Sequence, residues 1–389
     1  MQTSPKNHIK KLLTLFFLSA AHCSYGADTP WIGGEWTGST GFFSDPYHWT
    51  KSRHDWLLSA TTIPGTARVT LDGDYDLQEL NIGSGAQIKG VGDLRASGFS
   101  QVMGGSIAGS GRLAFEGDLS LRNMEIGGSR KVILNGTTYW ALSTTPEEIL
   151  GYWISIVGAG AELINNGLFD INGHSYGNRG ISSVRATNEA FRNFGTINYT
   201  GTSLFSISTP FYNSGTFNIM GGLVQIRAPK SDVSGLLSIA KDARLEFGNG
   251  VHKLKNVTVS GGGVFSVSNG IAIFEDGGDF SGVSIDMSYG GDIHQNGNGM
   301  FGKLTTLTST LYSNGKTIVT GDALIGTGTL LLGGGILQFD KDVVFGPARV
   351  GGGLTTVLNG RTTFKETLIK ATLPGFFVRE AATPKFASS

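Results

Sequence analysis

Four aspartates and one histidine occupy a short stretch in the second half of the chain: Asp276, Asp279, Asp286, Asp292 and His294. Cleavage of a glycosidic bond needs two carboxyl groups, one acting as acid and the other as base or nucleophile. If the side chains faced the same side, Asp286, Asp292 and His294 would be the catalytic candidates of a polysaccharide hydrolase or lyase. Acids that follow glycine are usually solvated turn residues, however, and no lysine or arginine lies within this stretch. We therefore interpret these acids as solvated turn residues rather than as a catalytic site.

Two other motifs resemble known sites only in part. Gly109–Ala114 fits the dinucleotide fingerprint, but a β-like run follows it where that fingerprint requires a helix. Asp72–Asp76 begins like a calcium loop, but Leu77 and Gly83 stand where the loop needs glycine and glutamate. We therefore interpret the first match as spurious and the second motif as a turn with clustered acids.

His174 and His252 have no second ligand at metal spacing, so we interpret both as ordinary exposed histidines. The only cysteine, Cys23, lies in the N-terminal segment, which leaves no thiolate for a metal and no disulfide in the remaining chain. We therefore predict no metal site and no cofactor.

The N-terminus has the pattern of a secretory signal. Lys6, Lys10 and Lys11 precede an apolar stretch over residues 12–21, and small residues favour cleavage after Gly26. Cleavage would remove three of the 30 basic residues and none of the 30 acidic ones. The balance predicts no basic face and therefore no nucleic-acid partner. No later stretch is apolar enough for a transmembrane helix.

The elements that must position any site are short and repeated. Three stretches align, each with an apolar residue, Asn two positions later, Gly two positions after that, and then alternating apolar residues: Leu163–Ile171, Phe191–Tyr199 and Phe211–Ile219. Their asparagines, Asn165, Asn193 and Asn213, are about one β-solenoid turn apart. Stacked amides would hydrogen-bond from coil to coil, while the alternating apolar residues would point inward. The alternative for the asparagines is a ligand groove.

A second pattern, G-x-G-x-apolar, appears at Gly90–Leu94, Gly109–Leu113, Gly261–Phe265 and Gly326–Leu330. Glycine permits the positive φ that a sharp corner needs. Together with period-two alternation in the runs between these corners, it predicts an all-β chain of about 15 coils, on the order of 70 Å long at about 4.8 Å per coil. The composition agrees, since 60 residues are Gly and 39% are hydrophobic.

The chain divides into a signal peptide (1–26), an N-terminal capping region (27–65), β-helix repeats (66–370) and a C-terminal tail (371–389). Within the repeats, 145–148 has a helix-capping pattern that predicts either one or two helical turns or an irregular loop. The capping region is rich in aromatic residues that we expect to cover the first coil, with a carbohydrate-stacking platform as the rival interpretation. These residues are Trp31, Trp36, Phe42, Phe43, Tyr47, Trp49 and Trp56.

Three features of the chain resemble those of exported bacterial repeat proteins. They are the opening tryptophans with Asp45-Pro46 and Pro64-Gly65, the run from Val69 to Leu113, and the Asn-x-Gly-Thr coils. The chain is similar to autotransporter-passenger, filamentous-haemagglutinin-like and pectin-lyase-like solenoids over roughly residues 31 to 365. This resemblance implies a right-handed parallel β-helix and export to the cell surface. It transfers no catalytic residue, because the shared pattern is structural.

The sequence thus favours an exported, non-enzymatic β-solenoid that presents an extended surface for adhesion or cell-envelope interaction. Its partners would be host or environmental glycans or surface proteins. Its location would be secreted or at the cell surface, including association with a bacterial outer membrane. Two alternatives stay open: a polysaccharide hydrolase or lyase on the same scaffold, and a structural spacer that is a fragment of a larger surface protein.

Overall fold

Short strands joined by glycine-rich corners wind repeatedly through three parallel sheets. A computed structural model describes residues 34–49, 60–141, 153–172, 179–183, 188–365, 376–378 and 385–386. Within these residues the only helical element is one turn of 3-10 helix, Pro46–His48. The strands form a β-solenoid of about 14 turns, and this confirms the predicted all-β parallel β-helix.

Each full turn passes through the first sheet, then the second and then the third, and every strand pairs in parallel with its equivalent on the neighbouring coil. The strands of the first sheet are Gly34–Glu35, Ala60–Ile63, Glu79–Ile82, Ser100–Val102, Leu119–Leu121, Thr137–Ala141, Leu168–Asn172, Thr196–Tyr199, Thr216–Ile219, Leu236–Ile239, Thr258–Ser260, Gly278–Phe280, Gly299–Phe301, Lys316–Val319, Ile336–Phe339, Thr355–Leu358 and Phe376–Val378.

The strands of the second sheet are Thr40–Phe42, Arg68–Leu71, Gln87–Gly90, Ser106–Ile107, Met124–Gly127, Trp153–Val157, Arg179–Ser183, Leu204–Ile207, Leu223–Ile226, Arg244–Gly248, Val264–Ser268, Ser284–Ser288, Leu304–Thr306, Ala323–Ile325, Val343–Phe345, Thr362–Phe364 and Lys385–Phe386. The strands of the third sheet are Tyr75–Leu77, Leu94–Ala96, Arg112–Phe115, Lys131–Leu134, Glu162–Asn165, Ala190–Asn193, Phe211–Asn213, Lys230–Val233, Val251–Leu254, Ile271–Phe274, Asp292–Gln295, Thr310–Ser313, Leu330–Leu332 and Arg349–Val350.

Alternate residues of each strand fill the interior, because successive side chains of a strand point to opposite faces. Phe169, Ile197 and Phe217 occupy one register position on three successive coils, and all three are fully buried. The neighbouring inward column passes through Tyr199 and Ile219 in the same way. The predicted inward stacking of apolar pairs is confirmed. Most of the remaining positions in the strands from Ala60–Ile63 to Ala323–Ile325 face outward, where a ligand can reach them.

Glycine is required at the corner between the second and third sheets. Gly90, Gly109 and Gly128 stack there on consecutive coils with φ of 128°, 100° and 68°. A Cβ added to Gly109 would lie 2.0 Å from the carbonyl oxygen of Gly90. The strand Arg112–Phe115 begins immediately after this corner, so no helix faces the glycines as nucleotide binding would require.

The asparagine ladder lies inside the coil. Nδ2 of Asn165 donates to Oδ1 of Asn193 at 2.7 Å, and Nδ2 of Asn193 donates to Oδ1 of Asn213 at 2.6 Å. Each amide also donates to the carbonyl oxygen of the glycine two residues later, at 3.3 Å. All three side chains are buried. The predicted coil-to-coil amide stack is confirmed, and the alternative of an asparagine-lined ligand groove is wrong.

Aromatic rings pack together at the N-terminal end of the described residues. Trp49 contacts both Trp36 and Phe43 edge-on, with ring centroids 5.0 Å apart in each pair, and Phe43 also contacts Tyr75 on the following coil at 4.4 Å. Trp36, Phe43 and Trp49 are buried, as a capping cluster requires. Phe42 and Tyr47 are exposed, so their rings do not take part in this buried cluster.

Several sequence predictions concern residues outside those described: the signal peptide over 1–26, Trp31, Trp56, the segment 145–148, His174 and most of the tail over 371–389. The domain boundaries stay predictions. Strands on both sides of the predicted repeat region, such as Gly34–Glu35 and Phe376–Val378, pair with the first sheet. Among the described residues, no helix has the length and apolar character needed to span a membrane.

Candidate functional site

A groove opens where the third sheet begins on five successive coils. Its volume is about 540 Å³, within the range of small-molecule sites. We call it the third-sheet groove and define it by the outward side chains of Lys131, Glu162, Arg192, Tyr212 and Lys230. Residues of the adjoining corner complete the lining: Ser129, Gly160, Asn188, Glu189, Ala190 and Pro210.

The register of the third sheet brings these side chains together. Lys131 on the first coil of the groove pairs with Glu162 on the second. Arg192 on the third coil pairs with Tyr212 on the fourth. Because side chains alternate along a strand, residues at paired positions project from the same face. Residues far apart in sequence therefore form one outward surface.

Three charged groups of the groove, those of Lys131, Glu162 and Arg192, are paired with each other. Nε of Arg192 donates to Oε1 of Glu162 at 2.8 Å, and Nζ of Lys131 lies 3.3 Å from Oε2 of the same carboxylate. The guanidinium carbon of Arg192 also lies 4.4 Å from the centroid of the Tyr212 ring, in cation–π geometry. Arg192 is thus held between a carboxylate and an aromatic face.

Both carboxylates of the groove are engaged. Burial alone would raise the pKa of Glu162, but the hydrogen bonds and positive charges of Arg192 and Lys131 together hold that pKa below its ordinary value. Glu189 is buried, and its oxygens accept the backbone N–H groups of Gly158 at 3.4 Å and Asn188 at 3.0 Å. A general acid needs a raised pKa, so Glu162 is suited to binding cations rather than to donating a proton.

The sequence-predicted acids are distributed over three sheets. Asp279 lies on the first sheet, Asp286 on the second, and Asp292 and His294 on the third. Nη2 of Arg244, two coils earlier, donates to Oδ2 of Asp286 at 2.8 Å. The register therefore separates Asp286 from Asp292 and His294, which share the outward face of one strand.

The other members of this acidic stretch also have local partners. Nζ of Lys255 lies 3.6 Å from Asp276, and Ser281 donates both its N–H and its hydroxyl to Asp279. These hydrogen bonds from Ser281 lower the pKa of Asp279. The ring of His294 contacts that of Tyr312 on the next coil at 4.5 Å. Cations do lie beside Asp276 and Asp286, but they come from preceding coils rather than from nearby sequence.

His252 corrects one of our expectations. We predicted an exposed histidine, but this side chain is fully buried, with Nδ1 2.8 Å from Oγ of Ser231 and Nε2 3.3 Å from the carbonyl oxygen of Gly248. Burial lowers its pKa to about 4. The prediction was wrong because His252 occupies an inward register position beneath Ser231, which local composition does not reveal.

The acids of 72–76 lie at a bend and in the strand Tyr75–Leu77 that follows it, and their partners include residues of neighbouring coils. Asp72 accepts hydrogen bonds from the hydroxyls of Ser44 and Tyr75, and Asp74 accepts the backbone N–H of Asp93 at 2.7 Å. The described residues contain no group of three or more His, Cys, Asp or Glu side chains arranged to hold a metal ion.

The third-sheet groove is not among the sites predicted from the sequence. A usable signal was present, because Arg192 and Tyr212 each directly precede an asparagine of the aligned stretches. Residues at equivalent positions of a solenoid repeat are neighbours in space. Lys131 and Lys230 lie outside the three aligned stretches, so alignment alone could not add them.

Comparison of the chain with protein-family models, curated proteins and solved structures finds no match in any of the three. The parallel β-solenoid that the sequence resemblance implied is confirmed, and membership of a bacterial surface family stays a prediction. The outward faces of the coils are therefore the features from which function is inferred.

Proposed function

We propose that this chain is an exported, non-enzymatic β-solenoid that binds surface molecules through outward side chains repeated on successive coils, in adhesion or cell-envelope interaction. The observation that carries the proposal is the outward face of the first sheet. There Asp170, Asn198, Asn218, Ser238 and Ser260 occupy one register column over five coils. Amide and hydroxyl groups at a coil spacing of about 4.8 Å offer many shallow hydrogen-bonding contacts.

Weak contacts of this kind become useful by repetition. When several sites bind one extended partner, each binding event after the first is effectively intramolecular, so avidity exceeds the affinity of any single site. Export is supported by the basic and apolar segments that precede residue 27. Glycans and surface proteins are the partners that an exported polar surface would meet.

A polysaccharide hydrolase or lyase is the second candidate, and the third-sheet groove is the observation that favours it. The groove combines two carboxylates with basic and aromatic side chains. Against this candidate, both oxygens of Glu162 lie against cations, and the oxygens of Glu189 accept backbone N–H groups. We therefore rank binding above catalysis.

The two candidates separate in one experiment. The purified chain is tested for retention on a panel of immobilised glycans and, in parallel, for release of reducing sugars or unsaturated products from the same glycans. We expect retention without release. Product release that disappears in Glu162→Gln, Asp286→Ala or Asp292→Ala, while the folded state is kept, would overturn the proposal in favour of the enzyme. Absence of retention on glycans and on isolated cell envelopes would contradict binding itself.

A further inference from the structure

We propose that the third-sheet groove binds a linear acidic saccharide chain laid along the coil axis, with carboxylate groups meeting the basic side chains. This inference rests on the proposed binding function and assigns it one site and one ligand class. Its starting point is the spacing of the cations. Lys131 and Lys230 lie in one register column on the first and fifth coils of the groove, and Arg192 lies on the third coil, two positions further along its strand.

Four coil steps of about 4.8 Å place Lys131 and Lys230 roughly 19 Å apart along the axis, while Lys131 and Arg192 both contact Glu162 and together form one cationic position. In an extended saccharide in which every second sugar is a uronic acid, carboxylates two repeats apart are separated by a comparable distance. The groove, at about 540 Å³, has room for a short run of sugar rings. Cation spacing and groove volume thus point to the same kind of ligand.

The polar groups between the cations fit the rest of such a chain. Ser129 and Asn188 line the groove and supply hydroxyl and amide groups, while Glu162 supplies acceptor oxygens. Sugar hydroxyls both donate and accept hydrogen bonds, so they match this mixture. Only the carboxylates of the ligand need cationic partners, and the basic residues of the groove supply them. The resulting charge-assisted hydrogen bonds are stronger than those between neutral groups.

Nucleic acid and peptide strands fit less well. A nucleic acid carries a phosphate at every nucleotide, and its dense charge would lie against Glu162 and Glu189. An added peptide strand needs free backbone groups at a sheet edge. The groove lies over paired strands in the middle of the third sheet, where neighbouring coils already use those groups.

Arg192 and Lys230 have different parts in this site. Arg192 is already oriented by Glu162 and by the Tyr212 ring, which reduces the entropy lost when a ligand carboxylate joins them. Lys230 is exposed, and within the described residues it has no ion pair. Lys230 is therefore the residue whose removal tests ligand binding with least effect on the fold.

The test measures dissociation constants by titration calorimetry, with the full chain and oligosaccharides of one length. The acidic probe alternates a uronic acid with a neutral sugar, and the matched probe carries the same uronic acid as its neutral amide. We expect Lys230→Gln to weaken the acidic probe about 3- to 10-fold, as expected for loss of one charge-assisted contact. The neutral probe should bind more weakly than the acidic one and be insensitive to Lys230→Gln.

Lys241→Gln is the matched control, because Lys241 is also an exposed lysine but lies at a turn outside the groove. Circular dichroism and the urea midpoint should be the same for both variants and the parent chain. Equal binding of the acidic and neutral probes, or equal affinity of the parent chain and Lys230→Gln for the acidic probe, would overturn the inference. Tighter binding of a single-stranded oligonucleotide of matched length would overturn it as well.

The result also separates this inference from the proposed function. If the chain is retained on glycan surfaces but Lys230→Gln behaves like the parent, binding occurs elsewhere and only the groove assignment fails. If the chain is retained on neither glycans nor cell envelopes, the proposed function fails and the groove assignment fails with it.

Discussion

Arg130 shows how this protein accommodates a charge inside a corner. Its side chain is fully buried, yet Nη1 donates to the carbonyl oxygen of Gly92 at 2.7 Å and Nη2 donates to that of Gly90 at 2.8 Å. Longer hydrogen bonds reach Arg112 and Ala108. Burial lowers the pKa of Arg130, but the carbonyl groups of the two preceding coils replace much of its hydration. Polar groups are tolerated here where adjacent coils provide partners.

His252 is the buried group whose titration should be felt in stability. Its pKa is about 4 in the folded state, against an ordinary value of 6.5 in the unfolded chain. The unfolded state therefore binds the proton more readily, and stability falls as pH drops from about 6.5 to about 4. The predicted loss over this window is about 3 kcal/mol. It is measured by urea unfolding at a series of pH values.

His252→Gln should remove the slope between pH 6.5 and 4, whereas His294→Gln on an outward face should retain it. Carboxylates whose pKa is lowered, such as Glu116 and Glu162, contribute stability that disappears only at lower pH, as they become protonated. The pH ranges in which the histidine and the carboxylates lose stability therefore differ. If His252→Gln keeps the parent's dependence of stability on pH between 6.5 and 4, His252 does not cause that dependence.

At the scale of the structural element, the asparagine ladder is the clearest stabilising device. It runs through the ends of three consecutive third-sheet strands and is directed, since Asn165 and Asn193 each donate to the asparagine of the next coil. The ladder ends where Leu134 and Val233 take the same register position on the flanking coils. Oδ1 of Asn165 accordingly has no hydrogen-bond partner among the described residues.

Asn193→Ala should destabilise the protein by about 2–3 kcal/mol, because it leaves the buried Oδ1 of Asn213 without its donor and removes the acceptor of Asn165. The matched control is Asn218→Ala, which breaks the outward hydrogen bond to Asn198 at 2.9 Å. There water replaces the lost partner, so we expect less than about 1 kcal/mol. Urea unfolding gives both values, and equal losses would contradict the role assigned to burial.

At the scale of the whole molecule, the strands of the described residues pair only with those of adjacent coils, as in other repeat proteins whose stability is a sum of neighbouring terms. Disturbing one coil should therefore have a local effect. Gly109→Ala is suited to test this, since φ is 100° and the new Cβ would lie 2.0 Å from the carbonyl oxygen of Gly90.

We expect Gly109→Ala to lower the free energy of local unfolding around its own coil by at least about 2 kcal/mol. Hydrogen exchange followed by mass spectrometry should show faster exchange in Leu94–Ala96 and Lys131–Leu134, with Thr310–Ser313 unchanged. Gly334→Ala is the control, because an added Cβ there meets no atom within 4 Å and should accelerate neither region. Acceleration of all strands alike by Gly109→Ala would mean that the coils unfold as one unit.

The sequence by itself determined the coil. Recurring Asn, Gly and alternating apolar residues specify one local geometry, and repeating that geometry stacks parallel strands with like residues in columns. Only the tertiary structure decided which outward side chains meet. Lys131, Glu162, Arg192 and Lys230 come from different coils, and the uneven chain length between those coils hides their register in the sequence. The tertiary structure likewise placed Arg244 beside Asp286 and His252 inside the coil. Pairing between coils, not proximity along the chain, sets these contacts.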